Sequence, residues 1–211
     1  MSKPVRSRKA KSGKTKTKAR EIGEKSKYKS ETKGQVAQLR DRVASVFSSG
    51  PRQLTDALKL DHDALRNYIS LLKDTDKPIS QRKTAYRSFA NLLKSHSVAE
   101  EQVAYQSAST WSGRELKIKV AEGYVEHQVC DDLMARISRV KDPMSWTAQV
   151  NVLAEIIEHH LKEEERDLFP LIRSHSSKTS DEKLIELYIA KRAQTQRIKS
   201  EKNQGVLNGR R

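Results

Sequence analysis

One helical stripe constrains this chain more than any other stretch. In residues 153–172, LAEIIEHHLKEEERDLFPLI, steps of three and four from His160 reach Leu153, Ile156 and Ile157 behind it. Ahead they reach Glu164, Leu168 and Leu171. That spacing marks the buried face of an α-helix. A histidine and a glutamate therefore stand one turn apart in a stripe otherwise made of Leu and Ile. Burying a carboxylate is costly unless it is paired or holds a metal, so something must offset the charge of Glu164.

The rest of the chain supplies further stripes of the same kind. Val36, Leu39, Val43, Val46 and Phe47 predict a short amphipathic helix within 35–50, closed by Ser48-Ser49-Gly50-Pro51. A helix over about 52–73 carries Leu54, Leu58, His62, Leu65, Ile69 and Leu72 on one face. After a turn at Asp74 to Pro78, a helix over about 79–107 carries Tyr86, Phe89, Leu92 or Leu93, His96, Glu100, Val103 and Ser107. A third, over about 114–140, carries Leu116, Val120, Gly123 or Tyr124, His127, Cys130 or Asp131, Met134 and Ile137. Lys141-Asp142-Pro143 breaks the pattern before the helix over about 144–173, which Pro170 should disturb. Ser180 is expected to cap a last helix with Leu184, Leu187, Tyr188 and Ala190 inward, fraying near 190. No segment reads as a strand. Four long helices on short loops predict an all-α, antiparallel up-down-up-down four-helix bundle over 51–190, with an additional short N-terminal helix and a C-terminal helix.

Charge divides the chain along the same boundaries. Residues 1–34 hold 13 Lys/Arg against 3 Glu, and residues 191–211 hold 7 against 1. These predict a disordered basic tail at the N-terminus and a basic tail at the C-terminus, with a nearly neutral domain between them. Such tails suit a nucleic acid or another polyanion, because Lys and Arg displace counterions from phosphates. With Tyr28 as its only aromatic residue, the N-terminal tail is poorly supplied for base stacking, and a purely solubilising role competes with binding. The single cysteine, Cys130, fits a reducing, cytoplasmic setting. No apolar run approaches the ~18 residues of a membrane span, and the basic N-terminus lacks the apolar segment of a secretory signal.

The middle of the chain repeats itself. His62 and His96 are 34 residues apart, and His127 and His160 are 33 apart. HSVAEEQVAY begins at His96 and HLKEEERDLF at His160, each with Glu-Glu at four and five residues on and an aromatic at nine, Tyr105 or Phe169. Asp61 precedes His62 and Glu126 precedes His127. One histidine on an apolar face is ordinarily a satisfied core residue. Four at repeat-matched core positions, two with a core glutamate at the same offset, read as metal ligands. Residues four apart stack on one helical face, so a histidine can hold one ion while the glutamate beyond it reaches a second. Two ions about 3.5–4 Å apart suit such bridging carboxylates, and imidazole with carboxylate favours iron and similar divalent metals over Mg or Ca. The candidates are His62, His96, Glu100, His127, His160 and Glu164. His159-xxx-Glu163 rivals the last pair, although its stripe would include Glu155 and Arg166. Asp131 reads as an extra ligand, a hydrogen-bond acceptor behind one, or a plain polar residue. Cys130 reads as core packing and His175 as a surface residue.

LDHDALRNYISLL, HSVAEEQVAY, VEHQVCDDLM and HHLKEEERDLFPLI resemble, in order, the four helices of a hemerythrin-like, HHE cation-binding domain. The resemblance covers about 52–174. It implies an oxo- or hydroxo-bridged diiron site with His62, His96, His127 and His160 as ligands and Glu100 and Glu164 bridging. It also implies a small ligand: dioxygen, peroxide or nitric oxide. Oxygen-carrying members have a second histidine one turn on in the third helix, where this chain has Asp131. That departure points away from reversible carriage and toward members implicated in iron sensing and in repair of iron–sulfur centres after nitrosative stress. Iron storage or handover is a further reading.

Overall fold

The computed structural model describes residues 51–208, with side chains over 51–197. The N-terminal basic tail and the short helix expected at 35–50 lie outside the described residues. Within them the chain is helical, without a strand. The elements are α1 (Leu54–Lys73), α2 (Ile79–Glu100), π1 (Glu101–Tyr105), α3 (Gln106–Ser109), α4 (Arg114–Ile137), α5 (Pro143–Glu163), π2 (Glu164–Leu168), α6 (Phe169–His175) and α7 (Lys178–Asn208). No described helix is long and apolar enough to cross a membrane.

Local chemistry sets the helix starts. Asp142 accepts from the Ser145 amide at 2.7 Å with Pro143 in the first turn, so the break read in the sequence is a cap. Gln53 and Asp56 form a reciprocal capping box on α1. At α7 the cap is Ser177 rather than Ser180: Ser177 Oγ accepts from the Ser180 amide at 3.3 Å, and Ser180 Oγ accepts from the Ser177 amide at 2.8 Å. Nor does α7 fray near 190; it runs on to Asn208.

The helices pack through the expected stripes. α1 lies against α2 and α5, α4 against α5, and α7 against α2 and α1. Leu54, Leu58, Leu65, Ile69, Leu72, Phe89, Leu93, Val150, Leu153 and Ile157 are all buried. Each such side chain contributes roughly 1.5–3 kcal/mol when taken out of water. Gly123 and Cys130, rather than Tyr124 and Asp131, face the interior of α4. Asp181 of α7 accepts from the Leu54 amide at 3.2 Å, tying the C-terminal helix to the start of α1. Tyr188 faces inward as expected and Leu184 packs against the core, but Leu187 is 51% exposed and Ala190 is exposed too; Ile185 is buried in their place.

The departures in the second and fourth long helices share one cause. Ser107 and Leu171, expected on the inner stripes, are only partly covered, and their successors Ala108 and Ile172 are buried. Each helix has taken in one extra residue. The Gln106 amide donates to the Glu101 carbonyl, and the Phe169 amide to the Glu164 carbonyl, both five residues back. This is the wide π turn, common at functional sites. Pro170, which has no amide hydrogen, favours the second; no proline accompanies the first. The insertion explains the aromatic at nine. In a regular helix nine residues carry a side chain about 180° round from the histidine, but one inserted residue brings it back inward. Tyr105 and Phe169 are accordingly fully buried.

Gly123 makes room for Tyr105. A Cβ built on Gly123 would stand 2.3 Å from the Tyr105 hydroxyl oxygen and 2.6 Å from its ring carbon Cζ. The ring is sealed on every side and cannot yield. Gly123→Ala should therefore destabilise the fold by about 1–3 kcal/mol through overpacking, measured by urea denaturation. An unchanged midpoint would show that Tyr105 has free space around it.

Candidate metal centre

Four helices each bring one histidine to a common interior point: His62 from α1, His96 from α2, His127 from α4 and His160 from α5. Each sits where its apolar stripe predicts, and all four are buried with Glu100 and Glu164. All six candidates from the sequence are thus brought together. His62 Nε2 lies 3.5 Å from Glu164 Oε2, and His160 Nε2 lies 3.3 Å from the same oxygen. His96 Nε2 lies 3.4 Å and His127 Nε2 3.6 Å from Glu100 Oε2. The two Nε2 atoms of His127 and His160 are 3.1 Å apart. The donor atoms form two overlapping groups, His62, His96, Glu100 and Glu164 on one side and Glu100, His127 and His160 on the other. Glu100 belongs to both.

The outward nitrogen of every ring is engaged. His62 Nδ1 is 3.0 Å from Glu165 Oε1, and His127 Nδ1 is 2.9 Å from Glu101 Oε1. The Glu-Glu pairs of the repeat are therefore divided: the first member turns into the centre and the second holds the imidazole of another helix. The acids preceding His62 and His127 play the matching part. Glu126 Oε2 is 2.7 Å from His160 Nδ1. Asp61, one methylene shorter, stands 3.7 Å from His96 Nδ1. Tyr188 of α7 fills the gap, its hydroxyl 2.8 Å from His96 Nδ1 and donating to Asp61 Oδ2 at 2.7 Å. Such outer partners fix the ring orientation and aim the Nε2 lone pair inward.

The aromatic rings of the repeat complete the walls. Phe169 stacks on His62 and Tyr105 on His127, with centroids 5.3 Å and 5.6 Å apart. Only Tyr105 carries a hydroxyl, and it donates to Glu164 Oε1 at 2.5 Å. Glu164 thus has one oxygen held, while neither oxygen of Glu100 has a hydrogen-bond partner. Tyr105 was legible only as the aromatic at nine. Tyr188 lies 92 residues from His96, and nothing local in the sequence joins them.

The other candidates fall outside the centre. His159 is 67% exposed, which decides for His160. Asp131 is 42% exposed and its Oδ2 is 2.5 Å from Lys94 Nζ, so it turns outward rather than to the centre. Cys130 packs in the core, its thiol pushed up to about 12 by burial. His175 is exposed and stacks on Trp111.

Electrostatics hold the metal-free centre in a charge-separated state. Burial opposes charge on His96, but Glu100 and Asp61 outweigh it and push the imidazole up to about 10. Burial likewise opposes charge on His160, yet Glu164 and Glu126 raise it to about 9. Glu100 is held down at about 2 by His96 and the other imidazoles against its own burial. Burial keeps His62 below its ordinary value despite the pull of Glu165. Tyr105 and Tyr188 are raised by burial and by the carboxylates beside them, so both keep their protons.

The residues fit a metal. His62 Nε2, His96 Nε2, both Glu100 oxygens and Glu164 Oε2 are buried without a hydrogen-bond partner. Buried polar atoms are rarely left so, and these five converge on one point. Imidazole nitrogens and carboxylate oxygens are the donor set of borderline transition metals. Neither the curated proteins nor the solved structures contain a match to the chain. The model of the hemerythrin HHE cation-binding domain matches residues 53–172, a span that includes every residue converging on this point. The chain belongs to the hemerythrin HHE cation-binding family.

Proposed function

We propose that the chain is a non-haem diiron protein that binds or reacts with a small ligand, dioxygen, peroxide or nitric oxide, in sensing, stress response or iron handling. The observation that carries this reading is the set of buried, converging donor atoms in two overlapping groups that share Glu100, those of His62, His96, Glu100 and Glu164 having no hydrogen-bond partner. His62, His96, His127, His160, Glu100 and Glu164 would hold the two ions, with Glu100, which belongs to both groups, able to reach either. The helices around them form an antiparallel up-down-up-down four-helix bundle. When bound, such a pair supplies redox equivalents and a coordination place for a small molecule.

The protein's own groups prepare that chemistry. Glu165, Glu101, Glu126 and the Tyr188–Asp61 pair hold the Nδ1 side of the rings, so that each Nε2 faces inward. Tyr105 donates its hydroxyl hydrogen bond to Glu164 Oε1 and restrains that carboxylate. Phe169 stacked on His62 and Tyr105 stacked on His127 are both buried and cover those rings from water. Asp131, paired with Lys94, adds no fifth imidazole and no anionic ligand.

Anaerobic reconstitution should load about two irons per chain, the number that bridging carboxylates span. His96→Ala or His160→Ala should lower that number, as read by metal analysis. A reconstituted protein that holds no metal, and whose stability ignores chelators, would refute the centre.

The metal-free protein should show a distinct pH profile. His96 and His160 lie above the ordinary 6.5, so the stability they contribute is complete below about 6.5 and lost as the pH rises through about 9 to about 10. Glu100 and Glu165, held down at about 2, contribute above about 4.5 and lose that contribution as the pH falls toward 2. The denaturant midpoint of the metal-free protein should therefore drop between neutral and strongly alkaline pH. Iron loading, which displaces these protons, should flatten the drop. A metal-free midpoint that is level across that range would contradict the charge arrangement.

With Asp131 paired to Lys94 and turned outward, the reduced, iron-loaded protein should oxidise in air rather than carry dioxygen. After exposure of the reduced protein to air and removal of the gas under vacuum, the reduced spectrum should fail to return in full. Complete and repeated recovery would rule for a carrier.

A further inference from the structure

The His159-xxx-Glu163 pair has no role in the inner centre, yet it does not stand alone. Glu126 approaches it from α4. His159 Nδ1 lies 3.8 Å from Glu163 Oε2 and 4.0 Å from Glu126 Oε1. These separations are too long for hydrogen bonds. They suit donors around a transition-metal ion, whose bonds to nitrogen and oxygen are about 2.0–2.2 Å. One donor atom from each of the three residues lies within 4.8 Å of the others. The remaining oxygens are used elsewhere: Glu126 Oε2 on His160 Nδ1 at 2.7 Å, and Glu163 Oε1 with Arg166 Nη2 at 3.3 Å.

A second, independent observation gives this cluster a direction. A crevice of about 10 Å³, near the lower limit for one water molecule, is lined by Glu122, Gly123, Glu126, Glu163 and Glu164. Glu164 is buried, its Oε2 has no hydrogen-bond partner, and it belongs to the inner donor set. Glu122, Glu126 and Glu163 also line a wider groove of about 530 Å³ beside Ile118, Ala121 and Val125. Lys119 is the counter-charge on the crevice wall, and its Nζ is engaged by Glu122 at 2.9 Å and Asp167 at 3.6 Å. Carboxylates thus run from the outer groove to the edge of the buried centre, and clefts lined by one sign of charge concentrate ions of the other.

We propose that His159, Glu126 and Glu163 form an outer site for a divalent transition-metal ion, from which ions pass along the crevice to the inner centre. The passage rests on reading the inner residues as a metal centre; the outer site does not. One imidazole and two carboxylates favour iron, manganese or zinc over magnesium or calcium. Three donors on partly exposed side chains hold an ion weakly enough to release it.

The test uses the full-length metal-free protein, anaerobic cobalt(II) as the probe, and the double variant H159A/E163Q. Neither side chain belongs to the inner set, and circular dichroism checks that the variant folds. Equilibrium dialysis should find one more cobalt ion per chain in the wild type than in the variant. The visible absorption of cobalt in the inner set should develop roughly tenfold more slowly in the variant, with the same final intensity. Equal ion counts, or equal rates of filling, would overturn the proposal. If the inner set takes no cobalt in either protein, the inner centre is refuted, and the passage with it; the difference in ion count then decides the outer site alone.

Discussion

The structure depends on placing two carboxylates and four imidazoles where a helical bundle would ordinarily have only hydrocarbon. Glu100 and the four histidines are nearly inaccessible, and Glu164 is scarcely less so. An isolated buried carboxylate would cost far more than the few kcal/mol by which a domain is stable. Without metal, the charges of His96 and His160 compensate Glu100 and Glu164. With metal, cations replace the protons. The neighbouring acids on the outer side of the rings already hold the imidazoles with Nε2 inward, the orientation that a metal would need.

The internal repeat gives this arrangement its near-twofold character, and its breaches give it a front and a back. Glu101 and Glu165 do equivalent work, and so do Tyr105 and Phe169 as stacked rings. Three differences spoil the equivalence. Tyr105 has a hydroxyl that Phe169 lacks, and Gly123 gives that hydroxyl its space; the corresponding position four residues before His62 is the buried Leu58. Asp61 is shorter than Glu126, and Tyr188 makes up the difference. Gly123 and Glu164 line the crevice, while Leu58, Tyr105 and Phe169 lie together in the hydrocarbon core.

Much of this was legible in the sequence. The four histidines and two glutamates stood out because a polar residue at a core register position is the exception that helical periodicity exposes. His160 prevailed over His159 for the same reason: Ile156 and Ile157 stand four and three residues before it, whereas the stripe through His159 would include Glu155 and Arg166. The stripes failed beyond the glutamates, where Ser107 and Leu171 gave way to Ala108 and Ile172. Periodicity assumes an unbroken α-helical ladder, and one inserted residue per helix defeats it. The aromatic at nine, on the wrong face of any regular helix, was the sign of that insertion. That Tyr188, read as an inward residue, meets His96 and Asp61, and that Arg192 meets Asp61, could not be inferred, because contacts between helices distant in the chain leave no local pattern. Leu187, apolar yet exposed, misled because residue type stood in for register.

Tyr188 and Arg192 belong to α7, beyond the last residue that the family model covers. Tyr188 joins His96 to Asp61, and Arg192 Nε lies 2.7 Å from the same carboxylate, which burial alone would tend to neutralise. The boundary of the family is therefore not the boundary of the centre. A fragment cut at that boundary would retain all six inner side chains but lose the support of one of them. Asp61 would be left buried without its hydroxyl and guanidinium partners, and His96 would be free to turn. The last helix acts as the keystone for a ring that earlier helices build.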